Sequence, residues 1–142
     1  LLSLAGEVAE DLRAAADKAS VTITTDGQSS VVFGVRRLLY EMLYNLCDNA
    51  IKYNRPGGSI RIHVENREQE AAISALDTGI GIAPEHQSRI FERFYRVDKS
   101  HSKEVGGTGL GLSIVRHAAQ YHGARLELKS QPGKGTTITV TF

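Results

Sequence analysis

The chain has 142 residues, enough for one domain with its own core, and its 41% apolar and 23% charged residues are ordinary for a globular fold. A formal net charge of +1 gives no long-range pull toward nucleic acid or an anionic membrane surface, so neither is expected as a partner. The single cysteine, Cys47, excludes an internal disulfide and a multi-cysteine metal site, and its place in a helical apolar pattern marks it as a buried, inert thiol.

Taken in chain order, residues 4–19 carry Leu4, Val8, Leu12 and Ala15 or Ala16 at one-face spacing and predict a helix. Residues 21–25 alternate and are β-branched, predicting a strand closed by an Asp26-Gly27 turn, and residues 31–33 predict a second short strand. Residues 36–53 form the strongest helical pattern, with Leu39, Met42, Leu43, Leu46 and Ala50 on one stripe, stopped by Asn54-Arg55-Pro56-Gly57-Gly58. Residues 59–65 and 71–76 alternate about a polar turn and predict a hairpin. Residues 84–90 predict a short helix with Pro84 in its first turn. Residues 96–107 are polar and aperiodic, as expected of a loop. Residues 110–122 predict a helix ended by Gly123, and 124–130 and 136–142 predict two strands joined by a Gly-rich turn. About six strands and three longer helices imply an α+β fold, a two-layer sandwich with a mixed, mostly antiparallel sheet. No apolar run is long enough to span a membrane and no signal peptide is visible; the start without Met, inside a helical pattern, points to a piece of a longer protein.

Chemistry concentrates in four segments. Asn45, Asn49, Lys52 and Tyr53 fall at offsets of 0, 4, 7 and 8, so about 100° per residue puts them within roughly 100° of arc beside the apolar stripe. Amide oxygens can ligate a hard cation and a lysine can meet phosphate oxygens, whereas a merely solvated edge would rarely hold two asparagines, poor helix formers, level with the packed face. Asp77 ends an apolar strand before Gly79, Gly81 and Ile82; its carboxylate can accept from the exocyclic amine of adenine and would repel the carbonyl of guanine, while the glycines let backbone approach the base. By itself Asp-x-Gly is also an ordinary strand-end turn. In Phe91-Glu92-Arg93-Phe94-Tyr95-Arg96 the two phenylalanines are expected in the core, Arg93 at the surface, and Arg96, opening the loop, at phosphates. Gly107-Thr108-Gly109-Leu110-Gly111-Leu112 bends into a helix whose first N–H groups form an anion site. It is neither a Rossmann fingerprint, since no strand precedes it, nor a P-loop, since no Gly-Lys-Ser/Thr is present.

In order and content these segments resemble the N, G1, F and G2 boxes of bacterial two-component sensor histidine kinases, whose catalytic domain has the Bergerat fold. The resemblance covers about residues 30–142, with residues 1–19 a leading helix that could border the dimerisation region. It implies ATP and Mg²⁺ as ligands and an ATP lid over about residues 92–108. It also implies Asn49 as the Mg²⁺ ligand with Asn45 beside it at the phosphates, Lys52 on phosphate and Tyr53 beside adenine. Relatives that hydrolyse ATP carry a glutamate base where this chain has Asn45, and an amide cannot deprotonate water. A gyrase- or MutL-type ATPase is therefore a lesser alternative to phosphotransfer onto histidine, and intact Asn49, Asp77 and Gly109 make a nucleotide-binding interaction module without catalysis another. Two departures stand out. Gly34-Val35-Arg36 lacks the acidic residue the family places before the N-box helix, leaving its N-cap in question. None of His63, His86, His101, His117 and His122 precedes an acidic residue, so no acceptor histidine is expected here. The implied partners are a separate dimerisation and phosphoacceptor domain of the same kinase and, indirectly, a response regulator; the segment would be cytoplasmic and its parent membrane-anchored.

Overall fold

The computed structural model describes residues 1–97 and 107–142. Among the described residues the ten regular elements are α1 (Leu2–Asp11), α2 (Arg13–Lys18), β1 (Thr22–Gly27), α3 (Arg36–Lys52), β2 (Ser59–Arg67), β3 (Glu70–Asp77), α4 (Pro84–Gln87), α5 (Gly111–Tyr121), β4 (Arg125–Gln131) and β5 (Gly135–Thr141). The strands make one sheet in the order β1-β2-β3-β5-β4, parallel only between β1 and β2.

Strand alternation sorts the sheet into two faces. Ile60, Ile62 and Val64 on β2 stand level with Asp77, Ala75 and Ile73 on β3. Ile73 and Ala75 in turn oppose Val140 and Ile138 on β5, which face Leu126 and Leu128 on β4. This apolar face meets the buried stripes of α1 (Leu4, Val8), α3 (Leu39, Met42, Leu43, Leu46) and α5 (Val115, Ala118, Ala119) in one core. The other face carries Asp26, Arg61, His63 and Glu65, with Arg61 Nε donating to Asp26 Oδ2 at 2.7 Å. The result is the expected two-layer α+β sandwich.

Several element predictions need correction. The leading helix is two: Leu12 (φ −92°, ψ −1°) separates α1 from α2 without leaving the helical region, so the apolar face runs on through it. Asp26-Gly27 is not a turn but the end of β1, paired with His63 and Val64. Residues 31–33 form no strand, so there are five strands among the described residues. Val31 and Phe33 are exposed there, while Val32 between them packs against the core. The short helix stops at Gln87 rather than residue 90. The missing acidic cap of α3 is real: Val35 stands at the N-cap without a side-chain bond, and its N–H donates instead to His122 Nε2 at 3.0 Å. His122 is thus tied into the fold, and Gly123 (φ +64°) is the left-handed residue that ends α5 as predicted.

Candidate functional site

The C-terminal half of α3, the β3–α4 turn and the bend entering α5 enclose a cavity of about 530 Å³. Each reaches it for a local reason. The apolar stripe of α3 is pinned to the sheet, so the adjoining arc with Asn45, Asn49, Lys52 and Tyr53 is turned toward the bend. Asn45 Nδ2 donates to the Glu41 carbonyl at 2.7 Å, leaving Oδ1 outward, and a Cβ added to Gly111 would meet that oxygen at 3.2 Å. The Asn45 side chain and the start of α5 are therefore in near contact, and the glycine is what permits it. Lys52 Nζ pairs with Asp48 Oδ2 at 2.6 Å, one turn back.

At the opposite end of the cavity Asp77 Oδ1 accepts from the N–H of Gly79 at 2.8 Å and of Thr136 at 3.3 Å. Burial pushes its carboxyl above the usual aspartate range, against these two donors, which favour the charged form. Oδ1 is thus spent on the backbone, and the other oxygen is the acceptor left for a ligand. Gly81 lines the cavity with φ +71°, packed so closely on the β4–β5 turn that a side chain would collide with the Gln131 carbonyl. Ile82 is held through its N–H to Ser130 Oγ at 2.8 Å.

Phe94 N–H donates to the Gly109 carbonyl at 2.8 Å, and a Cβ on Gly109 (φ +72°) would come within 2.9 Å of Phe94 Cα. The F box and the glycine bend are therefore one unit. Phe91 packs on the core as expected, but Phe94 does not: it adopts φ +63°, is 65% exposed and lies beside the Arg93 guanidinium. Joining Gly109 requires that turned backbone, and the turn swings the ring out. Arg96 lines the cavity, and its Nε is buried without a hydrogen-bond partner among the described residues. A buried guanidinium nitrogen without an acceptor is costly, which marks a place where a ligand oxygen fits.

Of the predicted site residues, Asn45, Asn49, Lys52, Tyr53, Asp77, Gly81, Ile82, Arg96, Gly107, Thr108, Gly109, Leu110, Gly111 and Leu112 all border this cavity. Gly79 does not; it stands behind Asp77 as a hydrogen-bond donor. Most of the predicted lid, residues 98–106, lies outside the described residues. Sequence reasoning missed Asp48, Tyr95 and Thr136. Asp48 was legible as the residue one turn before Lys52; Thr136 was not, because only strand pairing brings it to Asp77.

Residues 34–142 match the family model of histidine kinase-, DNA gyrase B- and HSP90-like ATPases. The chain belongs to that family. Among curated relatives of this ATP-binding domain, the sensor-like histidine kinase SenX3 of Mycolicibacterium smegmatis is 43% identical over 141 residues, covering 99% of this chain and 37% of that protein. The phosphate regulon sensor protein PhoR of Pseudomonas aeruginosa is 54% identical over 98 residues, 69% of this chain and 22% of that protein. The chain thus spans about a third or less of the relatives it matches. The mycobacterial sensor histidine kinase MprB superposes with a TM-score of 0.85 at 27% identity, over 99% of this chain and 91% of that one. Full-length ShkA in complex with AMPPNP gives 0.85 at 26% identity, over 98% and 29%. The family match and these likenesses make the present chain a sensor histidine kinase ATP-binding domain. Among the described residues no helix is long and apolar enough to cross a membrane.

Proposed function

We propose that this domain binds Mg²⁺–ATP and presents the γ-phosphate to a histidine on a separate phosphoacceptor domain, within a two-component sensor kinase. The observation that carries this reading is the convergence of the Asn45–Asn49 face, the Gly109–Gly111 bend and Asp77 on one cavity. Asp77 would accept from the adenine amine, beside Tyr53. The bend offers its N–H groups, and Arg96 and Lys52 their cations, to the phosphates.

The donor set also fits a magnesium ion. Among the described residues no three His, Cys, Asp or Glu side chains gather into a metal cluster, and the ligands we assign to the ion are the neutral oxygens of Asn49 and Asn45 on the cavity wall. Mg²⁺ bound by few protein groups, and completed by phosphate and water, suits such a site. When bound it would neutralise charge on the phosphates during transfer. The chain's own work is positioning: α3 and the bend hold the nucleotide, and Asn45, an amide, cannot serve as the base that hydrolysis needs. An imidazole acceptor brings its own lone pair and needs no such base. The parent would be membrane-anchored with this domain in the cytoplasm, its product passing to a response regulator.

Calorimetry with ATP, with and without Mg²⁺, tests the binding, and transfer of labelled γ-phosphate to an added acceptor domain tests the reaction. Mg²⁺-dependent binding with negligible multiple-turnover hydrolysis is expected. A folded domain that does not bind ATP overturns the proposal.

A further inference from the structure

Arg55 lies just beyond α3, in the turn leading to β2, and has no assigned role in the site. Its Nη2 donates to two carbonyls from different parts of the chain, Gly79 at 3.0 Å and Gly133 at 2.8 Å. The peptide linking Gly79 to Ile80 is thereby held on both sides, because its N–H donates to the Tyr53 carbonyl at 3.0 Å. The Ile80 carbonyl accepts in turn from Gly133 N–H at 2.8 Å. Arg55 thus closes a ring of hydrogen bonds through the end of α3, the β3–α4 turn and the β4–β5 turn. Inside that ring Gly79 N–H donates to Asp77 Oδ1.

Building on the reading that Asp77 takes adenine, we propose that Arg55 is a positioning residue for base recognition: its guanidinium locks the Gly79–Ile80 peptide and so aims the Asp77 carboxylate into the cavity. Among the described residues Arg55 does not touch the phosphate end, the bend or the Asn45–Asn49 face. Its effect is confined to the base. Nor does it act on Asp77 by charge, since the groups that shift the Asp77 carboxyl are its burial and the N–H donors of Gly79 and Thr136. The action is geometric and runs through Gly79. Both carbonyls are served by one terminal nitrogen, Nη2, whose two N–H groups are fixed in the guanidinium plane; a lysine would keep the charge on a freely rotating ammonium at the end of a flexible stem, with less fixed direction.

The test compares the wild-type chain with Arg55→Ala and Arg55→Lys in calorimetric titrations against Mg²⁺–ATP, Mg²⁺–GTP and Mg²⁺–tripolyphosphate. The ¹³C shift of the Asp77 carboxyl is followed with pH in the same three proteins. Arg55 is exposed, so its loss opens no core, and retained amide dispersion verifies the fold. Arg55→Ala should weaken ATP by about tenfold, the worth of a directed bond to a charged group. It should narrow the preference for ATP over GTP, leave tripolyphosphate unchanged and raise the Asp77 pKa as the Gly79 donor loosens. Arg55→Lys should fall between. If wild type prefers ATP and Arg55→Ala leaves that preference and the Asp77 titration untouched, or weakens tripolyphosphate equally, the inference fails alone. If wild type does not prefer ATP over GTP, the underlying reading of Asp77 fails with it.

Discussion

Replacing Asp77 with Asn separates the fold from recognition at a single atom. Oδ1 already accepts from Gly79 and Thr136, and an asparagine can keep its one oxygen there. Its Nδ2 must then replace the ligand-facing oxygen, so an acceptor becomes a donor pointed at another donor. The loss combines a hydrogen bond to a charged group, about 1.5–3 kcal/mol, with an unmatched donor at about 1–3 kcal/mol. About 3 kcal/mol is a conservative sum and corresponds to roughly a hundredfold in Kd. The free domain should respond the opposite way. Because burial raises the Asp77 carboxyl above its ordinary value of 3.8, the native chain binds more protons than the unfolded chain between 3.8 and the raised value. In that window this group makes stability fall as pH rises, and the cost persists at neutral pH. Asp77→Asn should therefore leave the melting temperature of the free domain unchanged or higher near pH 7, and remove that part of its acid dependence. Calorimetry with Mg²⁺–ATP and thermal melts from pH 4 to 8 measure both. A folded Asp77→Asn domain with unaltered ATP affinity would refute the reasoning.

Asn49→Ala should abolish the Mg²⁺ dependence of ATP binding while leaving the helix intact, since Ala is the better helix former; titrations with and without EDTA report it. Gly81→Ala should destabilise the domain by about 2–4 kcal/mol in urea melts, because the new methyl meets the Gln131 carbonyl and the residue must hold φ +71°. Cys47 should resist thiol reagents in the native domain at pH 8 and react only on unfolding, because burial pushes its pKa up to about 12; labelling followed by mass spectrometry checks this.

The side of the cavity built by α3 and the glycine bend was legible because helical periodicity is local. Four residues of α3 declared a shared arc, and the glycine bend declared the start of α5, without any knowledge of the sheet. The two sides of the cavity are joined by contacts distant in sequence. Gly111 against Asn45, Gly109 against Phe94 and Thr136 against Asp77 depend on tertiary packing, and for that reason Thr136 escaped notice and Phe94 was placed wrongly. Residues 31–33 misled for a related cause. Val31-Val32-Phe33 has strand composition, but a strand exists only where tertiary pairing makes one, and these residues pair with none of the five strands. The Arg55 contacts were illegible for the same reason, since both its acceptors are backbone atoms whose positions only the assembled sheet defines.

The Asp48–Lys52 pair makes the free domain its own counterion. An ammonium left bare at a nucleotide site would gather chloride, inorganic phosphate or any passing carboxylate. Here a visiting anion must first displace an aspartate that the same helix holds one turn away, at high effective concentration. A lone phosphate has little to offer in that exchange. A polyphosphate anchored elsewhere, on the proposed reading by the bend and by Arg96, would meet no second entry cost and could take the lysine. On that reading the helix would discriminate between small ions and whole nucleotides before any base is read.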